Sequence, residues 1–365
     1  MATTKDYGLG EFTFPRGWFM VADASKVTHI PMAVRFFGRD FALYRGKTSG
    51  KVILLDAYCP HMGTHLAKNT TSYAVLDGQV EGDSIRCPYH AWRFGPDGKC
   101  NHIPYYDGPI PKAATVRSWP VVEKMGCVYV WHDPEGGEPD YEVPDHPEWN
   151  DPQWVRWTID DLGTLPQHPQ EVIDNITDLP HLGPIHGSTV EYFENEFRAH
   201  LAIQRQGGGH RTLVSGDGSL LHTDTWYTGP GILYSSVRGL YDAIMYICHT
   251  PVDDGVVHAW HALLVKSPNG VATPEDVTNA RAYQEASRLA FAQDFEVWGA
   301  KKACLSILQI PTDGPFHKAR AWYKQFYNPR ERAAELQKPV DGVYTVKTHP
   351  PAPASAKAGQ RYSIP

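Results

Sequence analysis

Apolar and polar positions alternate over short runs through the first third of the chain. Pro31–Phe37, Asp40–Tyr44 and Val52–Tyr58 are such runs, separated by Gly38-Arg39 and by the Gly46–Gly50 stretch. A period of two broken by turn residues predicts a small antiparallel sheet. Thr115–Val121 and Gly126–His132 extend the pattern. From residue 170 the period changes. Gln170–Leu179 reads as a helix, and residues 222–265 hold long alternating strands such as Asp242–His249 and Val256–Val265. Thr273-Pro274-Glu275-Asp276 then opens a helix, with Thr273 as N-cap and Pro274 in the first turn, running to about Cys304. Steps of three and four along it collect Val277, Ala280, Gln284, Ser287, Phe291, Asp294 and Trp298 on one face. The fold class expected is α+β: a β-rich first domain over 1–145, a second over 146–345 that combines helices with an antiparallel sheet, and a Pro/Ala-rich tail over 346–365. The acidic, Pro- and Gly-rich stretch Asp133–Trp149 reads as the linker, and Gly207–Gly209 as a flexible loop.

A chain of 365 residues suits two cores. Its formal charge of −7 and lack of a basic run argue against nucleic acid or an anionic membrane as partner. The start, MATTKDYGLGEF, shows no leader pattern and no later stretch reaches membrane-spanning length, so the expectation is a soluble cytoplasmic protein. Six irregularly spaced cysteines do not resemble a disulfide framework and leave metal binding as a use for some of them.

Two of those cysteines stand in loops with histidines. Cys59-Pro-His61 and Cys87-Pro-Tyr-His90 are separated by 25 residues, and each loop offers one thiolate and one imidazole. A structural zinc site usually takes its cysteines as a close pair. A Rieske [2Fe-2S] cluster needs the divided arrangement, because one iron takes two cysteines and the other two histidines. Zinc remains the alternative. His65 falls outside the spacing and reads as a polar loop residue, while Cys100, Cys127, Cys248 and Cys304 read as buried free thiols.

A second constellation is Asp174–His186, DNITDLPHLGPIH. On one continuous helix His181 and His186 would point apart, but Pro180, Gly183 and Pro184 predict a break just after His181 that lets both rings face one point. A carboxylate would complete a two-histidine, one-carboxylate site for Fe2+ with open positions for O2 and substrate. Asp294, on the inward stripe between Phe291 and Trp298, is the candidate, with Glu296 on another face as competitor. A buried salt bridge from Asp294 to Arg288 or Lys301 is the plain alternative. Asp178, three residues before His181, is placed to orient that ring through its carboxylate, and Asn175 to modulate the site or exist as an ordinary helix amide.

With both residue sets in view, the chain resembles the Rieske non-haem iron oxygenases, and DNITDLPHLGPIH, FAQDFEVWGAKK and DGPFHKARAWYKQFY resemble the oxygenase component of 3-ketosteroid 9α-hydroxylases. The stretch between the cluster loops, around Lys68–Val80, departs from that pattern by its length. The resemblance implies a Rieske domain followed by a helix-grip catalytic domain, assembled as a head-to-tail homotrimer. It implies electrons delivered from NADH through a separate flavin and iron-sulfur reductase, and Asp178 bonding His90 of a neighbouring subunit. It further implies an elongated apolar cavity that accepts a polycyclic ketone, for which the aromatic strands Trp226–Tyr246 offer a wall. Demethylation, desaturation or hydroxylation of a smaller aromatic stays open. So does an electron carrier, which would have no use for His181, His186 and Asp294.

Overall fold

The computed structural model describes residues 1–215 and 219–348, so most of the expected tail, from residue 349, lies outside the described residues. Phe19–His132 forms one compact unit; Met1–Trp18 and the chain from Asp133 onward form the other. Residues 1–18 and 133–145 thus group with the second unit.

In the first unit the alternating runs become strands β2 (Met32–Phe36), β3 (Arg39–Arg45) and β4 (Val52–Asp56), preceded by β1 (Gly17–Asp23). The turn between β2 and β3 is Phe37-Gly38, both at positive φ, which is the backbone a two-residue hairpin demands. Four short strands, β5 (Val80–Glu81), β6 (Ser84–Arg86), β7 (Arg93–Phe94) and β8 (Cys100–His102), make a second sheet. A third joins β1 to β9 (Val121–Lys124) and β10 (Cys127–His132). Of the run expected over 115–121, Thr115 and Ser118 contribute only isolated bridges. Tyr44, Leu55, Leu66, Ile85 and Phe94 form a core into which Cys59 and Cys87 are packed. The stretch 68–80 holds one helical turn, α1 (Tyr73–Leu76), that leaves Tyr73 and Leu76 exposed.

The second unit is built on a nine-stranded antiparallel sheet. β13 (Tyr192–Arg198), β14 (Leu201–Gly208), β15 (Leu221–Thr228), β16 (Ile232–Arg238), β17 (Asp242–Asp253) and β18 (Val256–Lys266) are neighbours in sequence order. β11 (Trp154–Val155) and β12 (Asp160–Leu165) pair with β18, and β19 (Gly342–Val346) closes the other edge on β13. The linker reading of 133–149 is corrected in part. The stretch is irregular, as its composition requires, yet Asp133, Val143 and His146 are buried and Arg330 bonds Asp133 and the Glu138 carbonyl. Composition foretold the absence of repeating backbone bonds, not exposure. The loop reading of Gly207–Gly209 is also corrected: Gly207 and Gly208 end β14, and a side chain at 208 would collide with the Thr189 carbonyl. Glycine there lets the segment after His186 lie against the sheet.

The long helix α4 (Pro274–Ala300) starts with the expected cap. Thr273 and Asp276 bond each other's backbone N–H, and Pro274 sits at the first position. Its buried face holds Ala280, Tyr283, Gln284, Ser287, Phe291, Asp294 and Trp298, while Val277, expected there, is exposed. Phe291 and Trp298 join Val172, Ile173, Tyr227, Leu233 and Ile247 in the main core between helices and sheet. Among the described residues no helix is long and apolar enough to cross a membrane.

Candidate active site and cluster loops

The two cysteine loops are built alike. Cys59 N–H donates to the Thr64 carbonyl and Gly63 N–H returns to the Cys59 carbonyl; Cys87 N–H donates to Trp92 and Ala91 N–H returns to Cys87. The fifth residue of each is left-handed, Gly63 at φ 73° and Ala91 at φ 57°. Two such turns place both thiols inside, and the neighbouring Cys59 holds the Cys87 thiol below its usual range. His61 is exposed and His90 half-buried, with ring centroids 4.7 Å apart, and His61 stacks on Trp92. His90 Nδ1 is buried without a hydrogen-bond partner. A buried thiol pair beneath two outward imidazoles, one holding an orphaned nitrogen, fits a cluster whose cysteine-bound iron is internal and whose histidine-bound iron faces out. His65, as read, stays outside this set: its Nδ1 accepts from Ala67 N–H. Cys100, Cys127 and Cys248 are buried, Cys304 is half-buried, and none forms a disulfide.

The second constellation assembles with one correction to its backbone. The helix expected over 170–179 is α2 (Pro169–Asp174), capped by His168, followed by a 3-10 turn at Asn175–Thr177. Asp178 leaves helical geometry at ψ 88°, so the break lies before His181. Pro180 agrees with this: it disfavours helix at Leu179, and helices end at or before the residue preceding a proline. Gly183 and Pro184 do not break the chain; they lie inside α3 (Leu182–His186), with Pro184 in the first turn where a missing N–H costs nothing. His181 caps α3 and His186 ends it, about 140° around its axis. Asp294 of α4 enters between them. His186 Nε2 is 3.3 Å and His181 Nε2 3.9 Å from its carboxylate, and the three donor atoms lie within 4.8 Å of one another.

The remaining nitrogens of both rings are occupied. His181 Nδ1 is 2.5 Å from the Asp178 backbone carbonyl, and His186 Nδ1 is 3.2 Å from Gln293 Oε1. Each Nδ1 therefore carries the proton and each Nε2 presents a lone pair toward Asp294, the state a metal requires. Two imidazoles and a buried carboxylate, so oriented, fit a divalent transition ion. Burial lowers the His181 pKa, but bonds to Asp178 and the field of Asp294 outweigh it and raise it above its ordinary value, so at Nε2 a metal takes the place of a proton that the site also favours. Asp178 holds the ring mainly through its carbonyl; its one-third-exposed carboxylate, expected to orient the ring, stands beside the same nitrogen at 3.6 Å. Asn175 Nδ2 lies 3.2 Å from His181 Nε2, beside the lone pair instead of in solvent. Glu296 is exposed. Arg288 pairs with Glu285 and Lys301 with Glu171, so neither neutralises Asp294.

Buried ion pairs hold this frame. Glu171 takes Lys301, the Tyr7 hydroxyl and Cys304 N–H, while Asp174 accepts three bonds from Arg320. Gln293, Glu171 and Arg320 escaped the sequence reading, because their partners are more than 100 residues distant in the chain.

Asp294, His181, His186 and Asn175 lie together at one end of a cavity between α4 and the sheet. Leu233, Ile247, Met245, Leu263 and Phe291 make its walls mainly apolar. The aromatic wall expected from Trp226–Tyr246 is corrected. Tyr227 does line the cavity, but Trp226, Tyr234 and Tyr246 lie across from one another on the opposite face, where Tyr234 packs on His146 and Tyr246 on Trp157. Alternation along a strand sends neighbouring aromatics to opposite faces.

Residues 17–120 match the Rieske [2Fe-2S] domain family, and residues 130–327 match the family described as 3-Ketosteroid 9alpha-hydroxylase C-terminal domain. A probable 3-ketosteroid-9-alpha-monooxygenase, oxygenase component, from Rhodococcus rhodochrous is 33% identical over 89% of this chain and 82% of its own length. The cholesterol 7-desaturase of Bombyx mori is 30% identical over 90% of this chain and 73% of its own. Among solved structures, dicamba monooxygenase bound to 3,6-dichlorosalicylic acid matches with a TM-score of 0.68 over 90% of this chain and 98% of that one, at 19% identity, and so shares the fold. The chain therefore belongs to the 3-ketosteroid 9α-hydroxylase family of Rieske-type oxygenases, with a Rieske [2Fe-2S] domain followed by that family's catalytic domain.

Proposed function

We propose that this chain is the oxygenase component of a cytoplasmic multi-component monooxygenase. It uses O2, and electrons passed from NADH by a separate flavin and iron-sulfur reductase, to hydroxylate an apolar, steroid-like substrate. The observation that carries the reading is the meeting of His181, His186 and Asp294 at one end of a mainly apolar cavity. Fe2+ held by these three residues supplies the dioxygen chemistry. Cys59, His61, Cys87 and His90 hold the cluster that supplies electrons. The Asp178 carbonyl and Gln293 fix the two rings, and the Asn175 amide beside His181 Nε2 modulates the open side. The cavity walls orient a rigid substrate and keep bulk water from the reacting centre. The names of the relatives cover a 3-ketosteroid and cholesterol, so a tetracyclic frame is the substrate class we carry to this chain.

In the assembly we propose, a homotrimer, the Asp178 carboxylate bonds His90 of the partner subunit and electrons cross between chains. One carboxylate oxygen stands 3.6 Å from His181 Nδ1, and the side chain's one-third exposure supports a second contact of this kind. A carrier of electrons alone would gain nothing from a two-histidine, one-carboxylate set with both outer nitrogens pinned.

The test is turnover. With a competent reductase and NADH, a panel of tetracyclic compounds should yield a product one oxygen heavier, and a panel of small aromatic acids should not. Turnover of the aromatic acids alone would overturn the substrate class.

A further inference from the structure

Ser287 lies seven residues before Asp294 on α4, two turns away on the same buried face and so roughly 10 Å from the metal end of the cavity. Its Oγ is 2.9 Å from His261 Nε2, and His261 Nδ1 is 2.9 Å from Asp160 Oδ2, which also accepts from Gln284 Nε2 at 2.9 Å. His261 has no exposed surface and Ser287 only 5%. A serine backed by histidine and aspartate thus opens into the substrate cavity. It is no hydrolytic triad, because Ser287 sits in the interior of a helix whose N–H groups are spent on helix bonds, leaving no donors for an oxyanion.

The order of the bonds decides what the serine offers. A carboxylate only accepts, so His261 Nδ1 carries the proton and, in the neutral ring, Nε2 is an acceptor. The Ser287 hydroxyl proton goes to that nitrogen; the Met245 sulfur, 3.5 Å away, is a much weaker acceptor. What faces the cavity is then the oxygen lone pairs. They accept from a substrate hydroxyl at no cost. A carbonyl would have to draw the serine proton away and strand Nε2 of a fully buried imidazole.

Resting on the oxygenase reading above, we propose that the substrate is a rigid polycyclic alcohol whose hydroxyl donates to Ser287, with His261 and Asp160 as positioning residues behind it. This replaces the carbonyl end expected from the resemblance. Of the roughly 10 Å between Ser287 and the metal end, a hydrogen bond and a reactive approach take more than half, which leaves about two fused rings between the hydroxyl and the carbon attacked.

The probe is calorimetric titration of the iron-loaded protein with a saturated tetracyclic 3-alcohol and its matching 3-ketone. The native protein should bind the alcohol about tenfold more tightly. Ser287→Ala should weaken the alcohol by about tenfold and leave the ketone within about twofold, while Ser287→Thr, which keeps the hydroxyl, retains the preference. A purely structural serine would change both ligands alike. Tighter binding of the ketone, equal losses in Ser287→Ala, or binding of neither tetracycle overturns the proposal. The oxygenase reading stands or falls separately, on iron content and on O2 uptake with any substrate of the wider panel.

Discussion

Asp294→Ala is expected to abolish product formation, by at least ~1000-fold, while the visible spectrum of the cluster stays unchanged. Among the described residues Asp294 is the carboxylate that completes a metal-sized group with His181 and His186, and Arg288 and Lys301 pair elsewhere. Without it two imidazoles remain, too few to fix the geometry of an iron with open positions. The cluster residues belong to the other compact unit, so their absorbance reports independently. Stability of the metal-free variant should hold or rise, because the substitution removes a buried carboxylate. Product formation by coupled assay with the reductase, beside the spectrum, checks this. Retained turnover would remove Asp294 from the site.

Cys59→Ser should lose the cluster absorbance and all turnover, and the second large effect appears when that chain is assembled with the Asp294→Ala chain. Each is inactive alone, yet mixed oligomers should recover a substantial part of native turnover. The reason lies in Asp178. In the trimer proposed above, the Asp178 carbonyl holds His181 while the one-third-exposed carboxylate beside that ring also bonds His90 of the partner subunit. An intact cluster on one chain then serves an intact iron site on another. Asp178→Asn should keep both metals and slow electron transfer by at least ~10-fold, as loss of a partner behind a metal ligand commonly does. Co-purified mixed oligomers that stay inactive would show that electrons travel within one chain.

The cluster loops were legible because the chemistry demands fixed residue types at short spacing, and their strands because turns and alternation are local signals. Asp294 was legible for a related reason: a charged residue on the apolar stripe of a well-capped helix asks for a partner. The helix break was misplaced because Pro180, Gly183 and Pro184 were weighed equally, although proline in a first turn supports a helix. Gln293, the Arg320–Asp174 pair and the Ser287–His261–Asp160 series left no local trace. Each depends on segments brought together by the sheet, and Ser287 among its neighbours reads only as a small residue on a buried face. The aromatic wall failed on parity. Tyr227 faces the cavity and Trp226 does not, a choice set by strand register that composition does not carry.

The most direct measurement is the iron content of protein purified without chelators. The two residue sets predict about three irons per chain with about two acid-labile sulfides, falling by about one iron in Asp294→Ala with the sulfide unchanged. About two irons per chain, unaffected by Asp294→Ala, would mean that His181, His186 and Asp294 hold no iron and that the chain is a carrier of electrons.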